Sequence, residues 1–186
     1  MKHAIPEAVR ARLVARYGEP HRHYHTWSHV LACLDARERI APLAPLEVDV
    51  ALWFHDVIYD PRAHDNEERS ADLMIEELGD SAKAAVPLVL ATKHAAVPDT
   101  EEARIVVDAD LSILGADEAT FDTYERAVRQ EYSFVPDDAF RTGRAHVLKS
   151  FLDRPSIFAT QAAKDLWEKS ARENMARSLR ALNVTV

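Results

Sequence analysis

The stretch HRHYHTWSH, residues 21–29, holds four of the chain's nine histidines. Near neutral pH an imidazole can carry protons, ligate a metal or pair with a carboxylate. His25 and His29 are four residues apart, so on a helix they share a face. That spacing suits two ligands, or one ligand and one residue standing over a substrate. A polar helix end would also explain it. His21 and His23 lie beside Pro20, ahead of the expected helix, and are read as solvent-exposed loop residues.

A second constellation is ALWFHDVIYD, residues 51–60. Its apolar residues predict a helix buried nearly all round, with His55 and Asp56 in its middle. Burying an ionised Asp without a partner costs on the order of several kcal/mol or shifts its pKa until it is neutral. A compensating charge is needed, and a divalent cation, an Arg or a Lys supplies one. The third constellation is RIVVDADLSILG, residues 104–115, where Asp108 and Asp110 interrupt an apolar run. Residues two apart on a helix point about 200° away from each other. One of the pair therefore faces an ion bound there, and the other faces solvent, caps a helix or pairs with a base. Carboxylate plus imidazole is the donor mix of a first-row transition metal, with Mg²⁺ as an alternative occupant. The order H…HD…D spreads over three helices, and helical bundles build metal sites from such inward-facing side chains.

The elements that must hold these groups are helical nearly throughout. The patterns predict helices over about Pro6–Tyr17, Thr26–Ile40, Leu46–Val57, Glu67–Leu78, Ser81–His94, Asp117–Tyr132 and Thr160–Leu182, the last being the longest. In that last helix Ala162, Leu166, Met175, Leu179 and Leu182 fall on one broad stripe. The four glycines act as punctuation: Gly18 and Gly79 close helices, Gly115 follows the DADLSIL segment, and Gly143 stands before or within RAHVLKSFL. Only the short β-branched run Ile105–Val107 suggests a strand, and no repeat or linker divides the chain. The expectation is a single all-α domain over residues 1–186 with the site in its core.

Composition narrows the classes. Lys+Arg 23 against Asp+Glu 31 gives a net charge of -8, which argues against nucleic acid or an anionic membrane as the main partner. The single cysteine, Cys33, excludes an intrachain disulfide and a zinc site built from several thiolates. No apolar run approaches membrane-spanning length, and MKHAIPEAVRARL lacks an apolar signal core. A soluble cytoplasmic protein is expected. H-E-x-x-H, Walker A and G-x-S-x-G motifs are absent, and DPRAHDNEER lacks the ligand spacing of an EF-hand. Trp27, Trp53 and Trp167 are read as packing residues, and Tyr59 as a packing or pocket residue. His3, His64 and His146 are isolated and are assigned no role.

The segments YHTWSHV, ALWFHDVIYD, NEERSA, ATKHA and DADLSILG, with EY at 131–132, GR at 143–144 and ARENM at 171–175, together resemble the HD superfamily of metal-dependent phosphohydrolases. More narrowly, the chain resembles an uncharacterised bacterial group of predicted HD phosphohydrolases, over roughly residues 20–180. The resemblance implies an HD-type helical bundle that hydrolyses a small phosphorylated substrate, a nucleotide among the candidates, with a metal-activated water. It implies His29, His55, Asp56 and Asp110 as metal ligands, Asp110 being preferred to Asp108 because Ala109-Asp110-Leu111 matches an A-D-x-L context. The positions of Val107, Leu111 and Leu114 agree with that preference. The metal is a divalent ion, with Mn, Fe, Co, Ni, Zn and Mg as candidates. His25 stands where cyclic-nucleotide phosphodiesterases carry a general acid, although Thr26 replaces their Asn. His94 stands where relatives have a further His facing substrate or a second metal, and Glu67 is a candidate water-orienting carboxylate. Lys93, Arg69, Arg129 and Arg144, with Arg172, are candidate substrate cations. An oxygen-activating di-iron enzyme and a non-catalytic nucleotide-binding module are the alternatives.

Overall fold

The computed structural model describes residues 5–183, and every regular element among them is helical. His3 lies outside the described residues. Helix α1 (Glu7–Tyr17) starts behind Pro6 and ends at Gly18, and α2 (Trp27–Ile40) follows Thr26. Helix α3 (Leu46–Phe54) starts behind Pro45, with Glu47 and Asp49 in its first turn, where carboxylates complement the helix dipole. Helix α4 (Asn66–Leu78) leads through a 3₁₀ segment (Gly79–Ala85) into the short α5 (Val86–Ala91). Helix α6 (Glu101–Asp110) is capped by Thr100, whose Oγ1 accepts from Ala103 N at 3.2 Å, and it passes into a 3₁₀ turn (Leu111–Gly115). Helices α7 (Glu118–Glu131) and α8 (Asp137–Leu152) follow. The chain then runs through α9 (Gln161–Ala163), a π-helical turn (Lys164–Glu168) and α10 (Lys169–Leu182) without a break.

Helix α6 is the centre of the packing. Ile105, Val106, Val107, Asp108 and Ala109 are all buried, so its second half is covered on every side. Helices α2, α3 and α5 pack against it, while α10 lies on α8 and on the Leu111–Gly115 turn. A Cβ added at Gly115 would stand 2.4 Å from Trp167 Cβ, so this close approach needs glycine.

The structure corrects several local expectations. Helix α3 ends at Phe54, with His55 as its cap, so the His55–Asp56 step lies at the helix end and not in its middle. The buried guanidinium of Arg22 accounts for this. It donates to the carbonyls of Asp56 at 2.6 Å, Val57 at 2.9 Å and His25 at 3.0 Å. It thereby meets backbone acceptors that a continuing helix would have used itself. His25 precedes α2, whose first residue is Trp27. The helix expected over Ser81–His94 is divided, α5 carrying its proline in the first turn, and His94 adopts φ 54 beyond its end. In the last helix the π turn inserts an extra residue and rotates the buried stripe. Leu166, expected inside, is exposed, whereas Ala163, Trp167, Ala171 and Met175 are buried.

Asp108 ties the centre to the C-terminal helices. Its Oδ1 accepts from Ala159 N at 2.8 Å, and its Oδ2 from Thr160 N and Thr160 Oγ1, both at 2.7 Å. Burial pushes its pKa up, and these hydrogen bonds oppose the shift. Asp108→Asn turns one acceptor into a donor facing donors. It is expected to cost about 1–3 kcal/mol in urea unfolding while leaving metal content unchanged. A loss of bound metal larger than that of Asp110→Asn would reverse the roles of the two aspartates.

Candidate metal centre

Three helices deliver the polar cluster. His29 stands in the first turn of α2 with Cys33 one turn later, His55 and Asp56 close α3, and Asp110 is the last residue of α6. His29, His55, Asp56 and Asp110 each sit where a helix begins or ends, so these side chains reach a common point without interrupting a helix interior, and Cys33 joins them from within α2. Nε2 of His29 lies 3.1 Å from Nε2 of His55 and 3.1 Å from Oδ1 of Asp110. Nε2 of His55 lies 3.0 Å from Oδ2 of Asp56 and 3.5 Å from Oδ1 of Asp110, and His29 Nε2 is 3.6 Å from Asp56 Oδ2.

His55 donates from Nδ1 to the Leu52 carbonyl at 3.0 Å, which turns the lone pair of Nε2 inward in the neutral ring. An ion with ligand bonds of about 2.0–2.2 Å separates neighbouring donor atoms by about 3–3.5 Å. The five separations above, 3.0–3.6 Å, are close to that spacing. The ligand atoms of His29, Cys33, His55 and Asp110 all lie within 4.8 Å of one another, and this buried group can hold a metal ion. Asp56 adds a further oxygen. Cys33 was not foreseen as part of the site. Its Sγ is 3.6 Å from both ring nitrogens of His29. Burial, with the charges of Asp110 and Asp56, pushes its thiol pKa well up. The Asp56 carboxylate stands beside this group, and the cluster holds it ionised. Burial opposes ionisation of Asp56, but His55 and His25 pull its pKa down. Burial is likewise outweighed at Asp110, where hydrogen bonds from His29, His55 and His94 hold the carboxyl well below its ordinary range.

The cluster opens through Asp110 into a cavity of about 650 Å³. His25, His94, Glu67, Lys93 and Arg144 also line it. His94 Nε2 donates to Asp110 Oδ2 at 3.0 Å, so Asp110 faces the two inner imidazoles with one oxygen and His94 with the other. His94 Nδ1 is buried without a hydrogen-bond partner. Lys93 pairs with Glu68 and lies 4.0 Å from Glu67. Arg144 pairs with Glu125 and donates to Tyr124 Oη at 2.7 Å.

The structure does not bring Arg69, Arg129 or Arg172 to this cavity. Arg69 is at the surface, 3.9 Å from Asp65. Arg129 donates to the carbonyls of Tyr132 at 2.7 Å and Val135 at 3.0 Å and pairs with Asp137, which locks the turn between α7 and α8. Arg172 is held by Glu168 and by the carbonyls of Leu152 and Arg154. A guanidinium close to unmet carbonyls satisfies them first, and sequence gives little sign of this. His21 and His23 are exposed and lie outside the cluster, His21 meeting the Tyr59 carbonyl at 2.8 Å.

Glu131, at the end of α7, carries no assignment from the sequence beyond its place in EY. Its side chain is fully buried. Oε1 accepts from the backbone N–H groups of His23 at 2.8 Å, Tyr24 at 2.7 Å and His25 at 2.9 Å. Oε2 accepts from His25 Nδ1 at 2.7 Å and Tyr59 Oη at 3.0 Å. One carboxylate thus fixes the whole loop before α2 and the orientation of the His25 ring. Burial opposes the ionisation of Glu131, yet the hydrogen bond and charge of His25, with the backbone N–H groups, pull its pKa down to about 2.

Comparison with known proteins adds no relative: no family model matches the chain, and no curated protein or solved structure matches it. No described helix is long and apolar enough to cross a membrane.

Two outcomes follow from this geometry. Asp56→Ala and Asp110→Asn are each expected to lose most bound metal at equilibrium dialysis, while the double replacement of His21 and His23 by Ala retains it. Loss in the double variant would show that the exposed histidines belong to the site. The pKa of Glu131 is depressed on folding, so its contribution to stability is full above the unfolded value near 4.5 and lost as pH falls toward about 2. Glu131→Gln should therefore flatten the decline in stability across that acid interval, measured by urea unfolding at a series of pH values. An unchanged slope would remove Glu131 from the account.

Proposed function

We propose that this chain is a metal-dependent phosphohydrolase of the HD type, acting on a small phosphate ester with a nucleotide as one candidate. The observation that carries the reading is the convergence of two carboxylates on two imidazoles, each carboxylate 3.0–3.6 Å from both rings, beside a cavity large enough for an organic phosphate. His29, His55, Asp56 and Asp110 would hold the ion, with Cys33 packed against His29. A bound divalent ion supplies an acidified water and polarises a phosphoryl oxygen.

The rest is the work of this chain's own residues. His25 lines the cavity with Nδ1 engaged by Glu131, so Nε2 is the atom left to give a proton to the leaving oxygen. Burial lowers the proton affinity of His25, but the charge of Asp56 and the hydrogen bond to Glu131 outweigh it and raise its pKa above the ordinary imidazole value. That direction of shift favours the protonated ring, the form a general acid needs. His94 suits that role less well, because its Nε2 is committed to Asp110. Lys93 and Arg144 in the wall orient the phosphoryl oxygens, and Glu67 stands beside Lys93.

The test begins with metal analysis of the purified protein. A panel of phosphate esters and nucleotides follows, assayed with Mn²⁺, Co²⁺, Ni²⁺ and Mg²⁺. Phosphate release that disappears on chelation and returns with metal is expected. Bound iron with an oxygen-dependent product would favour the oxidative alternative, and tight nucleotide binding without turnover the binding module. His25→Ala should keep its metal and slow hydrolysis of an alkyl ester by ~10²–10⁴-fold. Unchanged turnover would remove His25 from the acid role.

A further inference from the structure

The cavity beside the cluster is much larger than a phosphate group needs, and most of its wall is apolar. Leu111, Val128, Leu148 and Phe151 are buried lining residues, with Phe140 and Tyr132 beside them. Gly143 also lines it, near the middle of the sixteen-residue α8. A glycine inside a helix costs about 1 kcal/mol relative to alanine. No backbone conformation requires one here, since the positive-φ glycine of the described residues is Gly79. Packing does not require it either: a Cβ added at Gly143 meets no atom within 4 Å. Gly143 is an exposed residue of the cavity's lining, so what the missing side chain leaves is open space along α8 where the cavity meets solvent.

The charges of the wall point the same way. Lys93 faces Glu68 and Glu67, Arg144 faces Glu125, and His25 faces Glu131. A divalent ion would be balanced by Asp56 and Asp110. One phosphate can be held by direct contact with such an ion and by shared hydrogen bonds. A second anionic group, lying in the apolar half, would be desolvated without an unmatched cation to receive it.

We infer that the substrate is an ester of a single phosphate with an aromatic or apolar alcohol, whose organic body lies along α8 across Gly143. This rests on the phosphohydrolase reading for the phosphate end, while the discrimination is one of binding and is measured without turnover. Three non-hydrolysable probes are titrated calorimetrically into the Mn²⁺-loaded protein: methylphosphonate, phenylphosphonate and benzene-1,4-diphosphonate. Phenylphosphonate is expected to bind about tenfold or more tighter than each of the others, the size of effect that an apolar pocket gives to a group that fills it. Equal affinity for the methyl and phenyl compounds, preference for the diphosphonate, or no binding of any probe would overturn the inference. Gly143→Phe fills the space, so the phenyl-to-methyl affinity ratio should collapse toward one. Gly143→Ala should fold with higher stability and keep most of that ratio. A ratio unchanged in Gly143→Phe would place the organic body elsewhere. If the probes keep the expected order but no phosphate ester is hydrolysed, the hydrolase reading fails, and what stands is a binding site for a single phosphate on an aromatic or apolar body.

Discussion

Two imidazole nitrogens and two carboxylates meet at one nearly buried point, and such an arrangement is unfavourable unless positive charge is shared among them. The rest of the structure serves this constraint. Three helices end or begin at the cluster, so their side chains reach it from different directions. The helix that carries Asp110 is the one on which α2, α3 and α5 all pack. A shift of any of these helices by about one turn would move a donor by ~5 Å and leave an anion buried without company.

A second tier of charges holds the first in place. Arg22 spends its guanidinium on three backbone carbonyls and so defines the turn at His55–Asp56. Glu131 does the converse with three backbone N–H groups and so defines the loop that carries His25. Each is a buried charge whose partners are mainly main-chain dipoles, and each fixes backbone where no helix does. The cavity lies between these supports, with its polar end at Asp110 and its apolar body along α8.

The helical class was legible from periodicity, and so was the opposite orientation of Asp108 and Asp110, because both follow from the 3.6-residue repeat alone. The failures have a common physical source. Arg22 and Glu131 act over separations of 35 and 106 residues, and no local pattern marks a side chain that will satisfy a distant backbone. For the same reason α3 stops short of Val57, whereas Arg129 is drawn from the cavity by carbonyls only three and six residues away. Cys33 entered only as the lone cysteine that excludes a disulfide and a multi-thiolate zinc site, whereas its place one turn from His29 makes it part of the cluster's wall. The π turn at Lys164–Glu168 shifts the helical phase by one residue, so a uniform period misassigns Leu166 to the interior.

His94 occupies a left-handed backbone conformation that glycine or asparagine enters more easily. Its imidazole nevertheless reaches Asp110, with its other nitrogen buried and unmatched. Folding stability and ring placement therefore pull in opposite directions at this position. Replacing His94 by glycine would ease the backbone and at the same time remove a hydrogen bond that keeps the buried Asp110 carboxylate ionised, so this one residue carries both a local strain and part of the anion's compensation.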